Sequence, residues 1–231
     1  MAYNDLGAIK KNINLLYQNI GVNFKVFILD NNSKDLTKEY LRRTKEEKDN
    51  LYINLQDHNL GVIKGRNECY QFSKEIDKNC SHILFLDADQ YVLEGWLESY
   101  LEYFNNGYSV VGKEAWLMRE KDCYPYKRLK SKEESNYFNY CGCGGLMVKS
   151  SVFEELGGFD ERYDKYYFED PDFCWTAHEA GYKIGWNYNE VIFHEKHNLS
   201  LSGERKIKFM ENWSRFRDKW NGSEMPVFRV E

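Results

Sequence analysis

The sequence predicts an α/β fold in which strands and helices alternate along the chain. Short apolar runs that end in polar or acidic residues alternate with segments of helical periodicity, a pattern typical of repeated βα units around a mainly parallel sheet. The 231 residues fit a single domain. Hydrophobic residues make up 42% of the chain and charged residues 30%, so we expect a packed core and exclude a disordered chain.

The elements of the first half are predicted in chain order. Residues 24–30 and 51–55 are apolar runs typical of buried strands, and residues 62–76 carry the apolar spacing of a helix. Residues 82–86 form the clearest strand, and residues 95–104 follow it with apolar side chains at helical spacing. A short strand is expected around residues 109–111. This half therefore resembles one layer of a nucleotide-binding α/β fold.

The second half is less regular. Residues 119–134 are charged and contain a proline, so we expect a mobile loop there, with a lid as its candidate role. A strand at residues 144–148 and a short helix at residues 150–156 follow. The last helix is expected at residues 203–220, with six basic and three acidic residues. Its apolar stripe favours core packing, and the alternative is docking to a membrane surface or a partner.

Charge and cysteine content exclude several functions. The 32 Lys and Arg residues against 37 Asp and Glu residues give a net charge of -5, so nothing favours nucleic acid as a partner. The chain does not start like a signal peptide, and no run approaches the ~18 apolar residues of a membrane span. The six cysteines are expected to be reduced thiols, which predicts a cytoplasmic protein.

Two carboxylates follow the clearest strand. Asp87 and Asp89, with Ala88 between them, stand where open α/β sheets bind their ligands. Such a pair suits a hard divalent ion, which would offset the charge of a bound diphosphate. The alternative is that one Asp caps the following helix and the other is solvated.

Two further segments are expected at the same edge of the sheet as Asp87 and Asp89. Asp30, Asn32 and Ser33 close an earlier strand, while Gly61 and Arg66 belong to the start of the helix at residues 62–76. Arg66 suits a phosphate or a base carbonyl, and its alternative is a surface ion pair worth under ~1 kcal/mol. Because neither GxxxxGK nor GxGxxG is present, the phosphates are expected to be held mainly by a metal ion.

An acidic segment opens a later helix. Glu169 and Asp170 precede Pro171, a residue that suits the first turn of a helix. Carboxylates at the start of a helix ordinarily cap it. The alternative hypothesis is that one of them acts as a general base for an acceptor hydroxyl. His194 ends a short apolar run and is a candidate metal ligand beside Asp89, or else a surface residue that makes hydrogen bonds.

In this order the segments resemble those of the inverting GT-A glycosyltransferases of family 2, over nearly the whole chain. Residues 26–33 resemble the family's strand ending in D-N/D-x-S, residues 59–67 its N-x-G-x-x-x-A-R-N segment, and residues 86–89 its DxD motif. Residues 144–145 and 157–161 resemble its glycine-rich acceptor-side elements, residues 169–172 its ED-x-D motif, and residues 216–220 its C-terminal helix ending in K-W.

The resemblance implies a GT-A fold over residues 1–231, with a nucleotide-sugar half at 1–113, an acceptor half at 114–202 and a C-terminal helix at 203–220. It implies metal-dependent transfer of a sugar, with inversion, from a nucleotide-sugar to a hydroxyl acceptor. A UDP-sugar is favoured, and the acceptor is a glycan, a lipid-linked sugar or a protein. Asp170 would be the base, and Asp89, helped by Asp87 and His194, would hold Mn2+ or Mg2+. The nucleotide-binding residues would be Asp30, Asn32, Ser33, Gly61, Arg66, Asp87 and Ala88.

The chain departs from the family at its start. Relatives begin with an apolar strand ending in P-x-Y-N, and here Tyr3-Asn4-Asp5 corresponds only to its end. The first strand is therefore expected to be missing, which would expose strand edges or empty part of the nucleotide pocket. Two other functions stay open. One is a retaining GT-A transferase, and the other is a non-catalytic module that binds nucleotide-sugars or glycans.

Overall fold

The computed structural model describes residues 1–19, 24–195 and 201–230. Its first sheet is a parallel pair of strands, β1 (Val26–Asp30) and β2 (Leu51–Leu55), close to the predicted positions. Two helices that the sequence analysis did not predict accompany this pair, α1 (Leu6–Gln18) and α2 (Thr37–Glu47). Ile9, Ile13 and Leu41 are buried between these helices and the strands.

The second sheet contains four strands. In spatial order they are β11 (Ile184–Trp186), β5 (Val110–Gly112), β10 (Leu146–Lys149) and β3 (His82–Phe85). Strand β10 is antiparallel to both of its neighbours, and β11 is parallel to β5. The expectation of a mainly parallel sheet is therefore wrong, because the described strands pair in parallel only at β1–β2 and β5–β11, apart from one isolated bridge.

A single residue occupies the place beside β1 where the family's first strand was expected. Ala2 forms a parallel bridge with Asp30: its N–H donates to the Leu29 carbonyl at 2.9 Å, and its carbonyl accepts from the Asn31 N–H at 2.8 Å. On the other side the Met1 amino group lies 3.4 Å from the Leu86 carbonyl oxygen. Residues 1–2 thus link the carboxyl ends of β1 and β3.

The other strands form three small sheets. They are β4 (Gln90–Val92) with β12 (Ile192–His194), β8 (Tyr137–Phe138) with β13 (Phe228–Arg229), and β6 (Ala115–Met118) between β7 (Pro125–Arg128) and β9 (Tyr140–Cys141). The expectation of an irregular loop at residues 119–134 is only partly right, because residues 125–128 form β7, which pairs with β6 in an antiparallel hairpin, and Lys132–Glu134 form a short 3-10 helix. Pro125 is the first residue of β7, a position at which a strand tolerates proline.

Five further helices complete the described fold. They are α3 (Val62–Ile76), α4 (Trp96–Asn105), α5 (Ser150–Glu155), α6 (Glu169–Glu179) and α7 (Gly203–Lys219). The largest core cluster buries Trp175 of α6 against Phe216 of α7. The apolar stripe of α7 is only partly used for packing, because Ile207 and Met210 remain 58% and 42% exposed. No helix in the described ranges has the length and apolar character of a membrane span.

Candidate active site

The turn that carries Asp87 and Asp89 is held from beneath by two buried amides. The Asp87 N–H donates to Gln90 Oε1 at 3.0 Å, and Asn12 Nδ2 donates to the carbonyl oxygens of Asp87 and Gln90. Gly144 leaves the room that this arrangement needs, because a Cβ there would lie 2.4 Å from Gln90 Nε2. The backbone between Asp87 and Gln90 is therefore fixed by Asn12 of α1 and by the Gln90 side chain.

Arg66 joins this turn to the start of α6. It is 7% exposed, and its Nη2 donates to Asp87 Oδ1 at 2.8 Å while Nη1 donates to Glu169 Oε1 at 2.9 Å. Burial opposes ionisation of Asp87, but the Arg66 guanidinium outweighs it and lowers the pKa of that carboxyl below its usual range. Arg66 is thus a buried bridge between two carboxylates and not the surface ion pair weighed from the sequence.

Asp89 belongs to a second network of charged side chains, called the His194 network below. Its Oδ2 lies 3.4 Å from His194 Nε2, and His194 Nδ1 lies 3.1 Å from Glu114 Oε1. Arg128 Nη1 donates in turn to the same Glu114 oxygen at 2.8 Å. The hydrogen bonds to Asp89 and Glu114 raise the pKa of His194 to about 10. Strands β4 and β12 pair through His194 and Gln90, which places the imidazole beside the turn.

The donor set suits a divalent ion that is completed by its ligand. Asp89 and His194 offer one carboxylate and one imidazole side by side, while Asp87 is turned toward Arg66. Among the described residues no group of three or more His, Cys, Asp or Glu side chains is placed to hold a metal. Two protein ligands fit Mn2+ or Mg2+ when phosphate oxygens and water fill the other positions.

Asp170 stands at the start of α6, next to Glu169. It is half-buried, and burial followed by the neighbouring Glu169 charge raises its pKa well above the ordinary range. A Cβ on Gly142 would lie 3.7 Å from both Asp170 Oδ2 and Glu114 Oε2. Asp170 and the His194 network therefore border the same space. A carboxylate whose pKa is raised is a stronger proton acceptor once it is ionised.

Three of the residues expected at the nucleotide, Asp30, Asn32 and Ser33, lie at the carboxyl end of β1 or just after it. Asp30 is fully buried, and its Oδ2 accepts from the Ser33 N–H at 3.0 Å. Its Oδ1 has no hydrogen-bond partner within the described part of the chain. Asn32 has a left-handed φ of 65°, and its side-chain oxygen accepts from Lys38 Nζ at 3.1 Å. Asp30 thus keeps one free acceptor oxygen at the carboxyl end of the strand.

Gly61 and Ala88, the last two expected nucleotide residues, lie on different sides of this region. Gly61 has a φ of 81° and precedes α3, where a Cβ would lie 3.1 Å from the Lys165 Cα atom. Asn31 ties this segment to β1, since its Nδ2 donates to the Gly61 carbonyl at 3.0 Å. Ala88 packs against the core cluster between α1 and β1. The close approach at Gly61 explains why a glycine stands there.

Four residues of the site, Glu114, Arg128, Asn12 and Gln90, were not expected from the sequence. Glu114 and Arg128 are separated by a hairpin that was expected to be a loop, so their pairing could not be anticipated. The one signal for Glu114 is an acidic residue between two short apolar runs. Asn12 lies in a helix that the sequence analysis did not predict, and Gln90 follows the DxD motif without a pattern of its own.

Residues 1–177 match the sequence profile of Glycosyl transferase family 2, which is more than half of the chain. The chain belongs to this family. Among known proteins, glycosyltransferase AglE of Haloferax volcanii is 26% identical over 209 residues, which cover 83% of this chain and 64% of AglE. The chain thus spans a little under two thirds of the length of that relative.

Solved structures share the fold of this family 2 chain. The crystal structure of GalNAc-T7 with UDP, GalNAc and Mn2+ superposes with a TM-score of 0.72 at 13% identity, over 94% of this chain and 46% of that one. The mannosyltransferase PcManGT from Pyrobaculum calidifontis, in complex with GDP-Man and Mn2+, has a TM-score of 0.63 at 18% identity, over 80% of this chain and 52% of that one. The GT-A-like fold expected from the sequence is therefore confirmed.

Proposed function

We propose that the protein transfers a sugar from a UDP-sugar to a hydroxyl acceptor with inversion at the anomeric carbon. The observation that carries the proposal is the buried Arg66 bridge, which joins the Asp87 turn to the Glu169–Asp170 start of α6. The bridge sets a leaving-group side and an acceptor side at a fixed separation. Family membership and the fold support nucleotide-sugar chemistry at this place.

Asp170 is the proposed general base. Its ionised carboxylate accepts the proton of the acceptor hydroxyl while the hydroxyl oxygen attacks the anomeric carbon, and the bond from that carbon to the diphosphate breaks on the opposite face. One displacement of this kind inverts the configuration. The raised pKa of Asp170 suits proton transfer, because a base is most effective when its pKa lies near the working pH. Glu169 is held by Arg66, so Asp170 is the freer of the two carboxylates.

Asp89 and His194 are the proposed ligands of a divalent ion, Mn2+ or Mg2+. The solved structures of GalNAc-T7 and PcManGT contain Mn2+ together with UDP and GDP-Man respectively. The ion would supply positive charge to a departing diphosphate. Arg66 keeps the Asp87 turn in place, and the buried Asp30 would act on the nucleotide through the Ser33 backbone that it holds at the end of β1.

The proposal is tested by following nucleotide release and product configuration with UDP-glucose, UDP-N-acetylglucosamine, UDP-galactose and GDP-mannose. We expect Mn2+-dependent stabilisation by UDP, because a ligand that binds only the folded state raises the melting temperature. Proton NMR of the first product formed should show inversion. Retained configuration would replace the proposal by the retaining mechanism. Binding of UDP-sugars without hydrolysis or transfer to any acceptor would replace it by a non-catalytic module.

A further inference from the structure

The segment that leads into α6 has an unfavourable backbone. Lys165, Tyr167 and Phe168 have φ values of 63°, 77° and 72°, so three of four consecutive non-glycine residues are left-handed. Such conformations cost of order 1–3 kcal/mol each and persist only where the surroundings enforce them. Phe168 is the residue immediately before Glu169 and Asp170. The segment at residues 164–168, called the approach loop below, therefore needs an external support.

Asn212 of α7 provides that support. It is fully buried, and its Nδ2 atom donates to the carbonyl oxygens of Asp164 at 3.1 Å, Tyr166 at 2.8 Å and Tyr167 at 3.3 Å. Arg215 Nη1 donates to Asn212 Oδ1 at 2.6 Å, which fixes the orientation of the amide. One side chain thus satisfies carbonyls that the left-handed backbone turns away from helix or strand partners.

The approach loop also contacts the nucleotide side of the site. The Lys165 carbonyl accepts from the Val62 N–H, the first of α3, at 2.8 Å. The Phe168 carbonyl accepts from the Asp172 N–H at 3.2 Å in the first turn of α6. A shift of the loop would therefore move the start of α6, which carries Asp170, relative to the start of α3.

We propose that Asn212 is a positioning residue for sugar transfer: it holds the approach loop in its left-handed conformation and thereby sets the place of Asp170. The proposal rests on the function proposed above for Asp170. Helix α7 would thus contribute to the reaction through Asn212, which lies 42 positions after Asp170 in the sequence. Asn212 acts through the loop and needs no contact with substrate.

The main test variant is Asn212→Asp, which keeps the side-chain shape but replaces the amide donor by a carboxylate facing three carbonyl oxygens. Arg215→Met is a milder variant, since it removes only the bond that orients the amide and lies on the exposed side of α7. Trp213→Phe is the matched control. It removes a hydrogen bond of the neighbouring residue to the Asp122 carbonyl, which lies in the β6–β7 hairpin and not in the approach loop.

Two measurements decide the matter. Hydrogen exchange of amides 163–170 should be at least about tenfold faster in Asn212→Asp, slightly faster in Arg215→Met and unchanged in Trp213→Phe. The kcat of nucleotide release from the four nucleotide-sugars named above should be at least about tenfold lower in Asn212→Asp. The reason is that displacement of a catalytic group by about 1 Å lowers the rate by up to 10²-fold. The affinity for UDP with Mn2+ should fall by a smaller factor than kcat, which a general loss of structure would not allow.

Each outcome has a distinct meaning. Unchanged exchange in both Asn212→Asp and Arg215→Met would overturn the proposal, whatever the activity. Faster exchange with an unchanged kcat would show that Asn212 holds the loop but does not position the base, which also overturns it. If wild-type protein released no nucleotide from any of the four sugars, the proposed function would fail, and the exchange data would still decide whether Asn212 holds the loop.

Discussion

The Asp87–Asp89 turn and the approach loop before Asp170 are held in place by different means. The turn has buried amides directly beneath it, from Asn12 and Gln90. The approach loop has three left-handed residues and depends on Asn212 in the last helix of the described chain. Both regions thus depend on an asparagine from a distant helix, 75 positions before Asp87 and 45 to 48 positions after the loop carbonyls. The difference is that the turn is also held by its own Gln90, whereas the approach loop has a left-handed backbone to be held.

The largest effect is expected for Asp170→Asn. Transfer should fall by roughly 10²–10⁴-fold, because the amide cannot take the acceptor proton. Binding of UDP with Mn2+ should remain, since Arg66 contacts Glu169 and not Asp170. Steady-state kinetics and a binding isotherm on the same preparation measure both quantities. Wild-type turnover in this variant would contradict the base assignment and leave the acceptor side without a chemical role.

Arg66→Met should break the link between the two regions. It leaves Glu169 buried and Asp87 half-buried without their shared cation, so the free energy of unfolding should fall by about 3–5 kcal/mol. Denaturant unfolding measures the loss. Arg162→Met is the control, because its ion pair with Asp160 is 73% exposed on the arginine side and should contribute under about 1 kcal/mol. Equal losses in the two variants would contradict the role of the buried bridge.

Asp89→Ala should affect the nucleotide side alone. At Mn2+–UDP concentrations about 100 times the dissociation constant, wild-type protein should gain about 2.7 kcal/mol of stability, and the variant should lose most of that gain. Thermal unfolding with and without Mn2+ measures the difference. Glu94→Ala removes an exposed carboxylate near the same turn and should behave as wild type. A full metal-dependent gain in Asp89→Ala would remove Asp89 from the proposed ligands.

Asn12→Ala tests the support that α1 gives to the turn. The carbonyl oxygens of Asp87 and Gln90 lose their side-chain donor, and stability should fall by about 1–3 kcal/mol. Asn14→Ala, on the exposed side of the same helix, controls for helix propensity. The hydrogen-exchange rate of amides 163–170 should not change in Asn12→Ala. A faster rate there would show that the two regions are not supported separately.

The smallest effect concerns pH. Burial raises the pKa of Asp170 well above the ordinary value of 3.8, so the folded state favours the protonated carboxyl. Wild-type stability from this group is therefore fully present below pH 3.8 and is lost as the pH rises through the raised value. Asp170→Asn should gain stability relative to wild type as the pH rises from 4 to 8, measured by thermal unfolding. A difference that is constant with pH would contradict the raised pKa.

Part of this site could be predicted from the sequence. Apolar periodicity marks strand ends and helix starts, and it indicated that Asp89 and His194, which lie 3.4 Å apart, stand at such positions. The choice of Asp170 as the base depended instead on the resemblance to the family. The partners of Arg66 could not be predicted, because Glu169 is 103 positions away and meets it only when α3 and α6 approach. The reversed direction of β10 was missed for a related reason, since an apolar run carries no information about strand orientation.

The Arg66 bridge has an evolutionary consequence. Arg66, Asp87 and Glu169 form one electrostatic unit. Loss of the arginine would leave both carboxylates without their cation, and loss of either carboxylate would leave the arginine with a single ion pair. Relatives of this chain are therefore expected to keep or exchange the three residues together. Asn212 and its three carbonyl partners carry no such constraint, because main-chain oxygens persist through any substitution. We therefore expect correlated substitutions at Arg66, Asp87 and Glu169, and at the approach loop we expect only Asn212 to be retained.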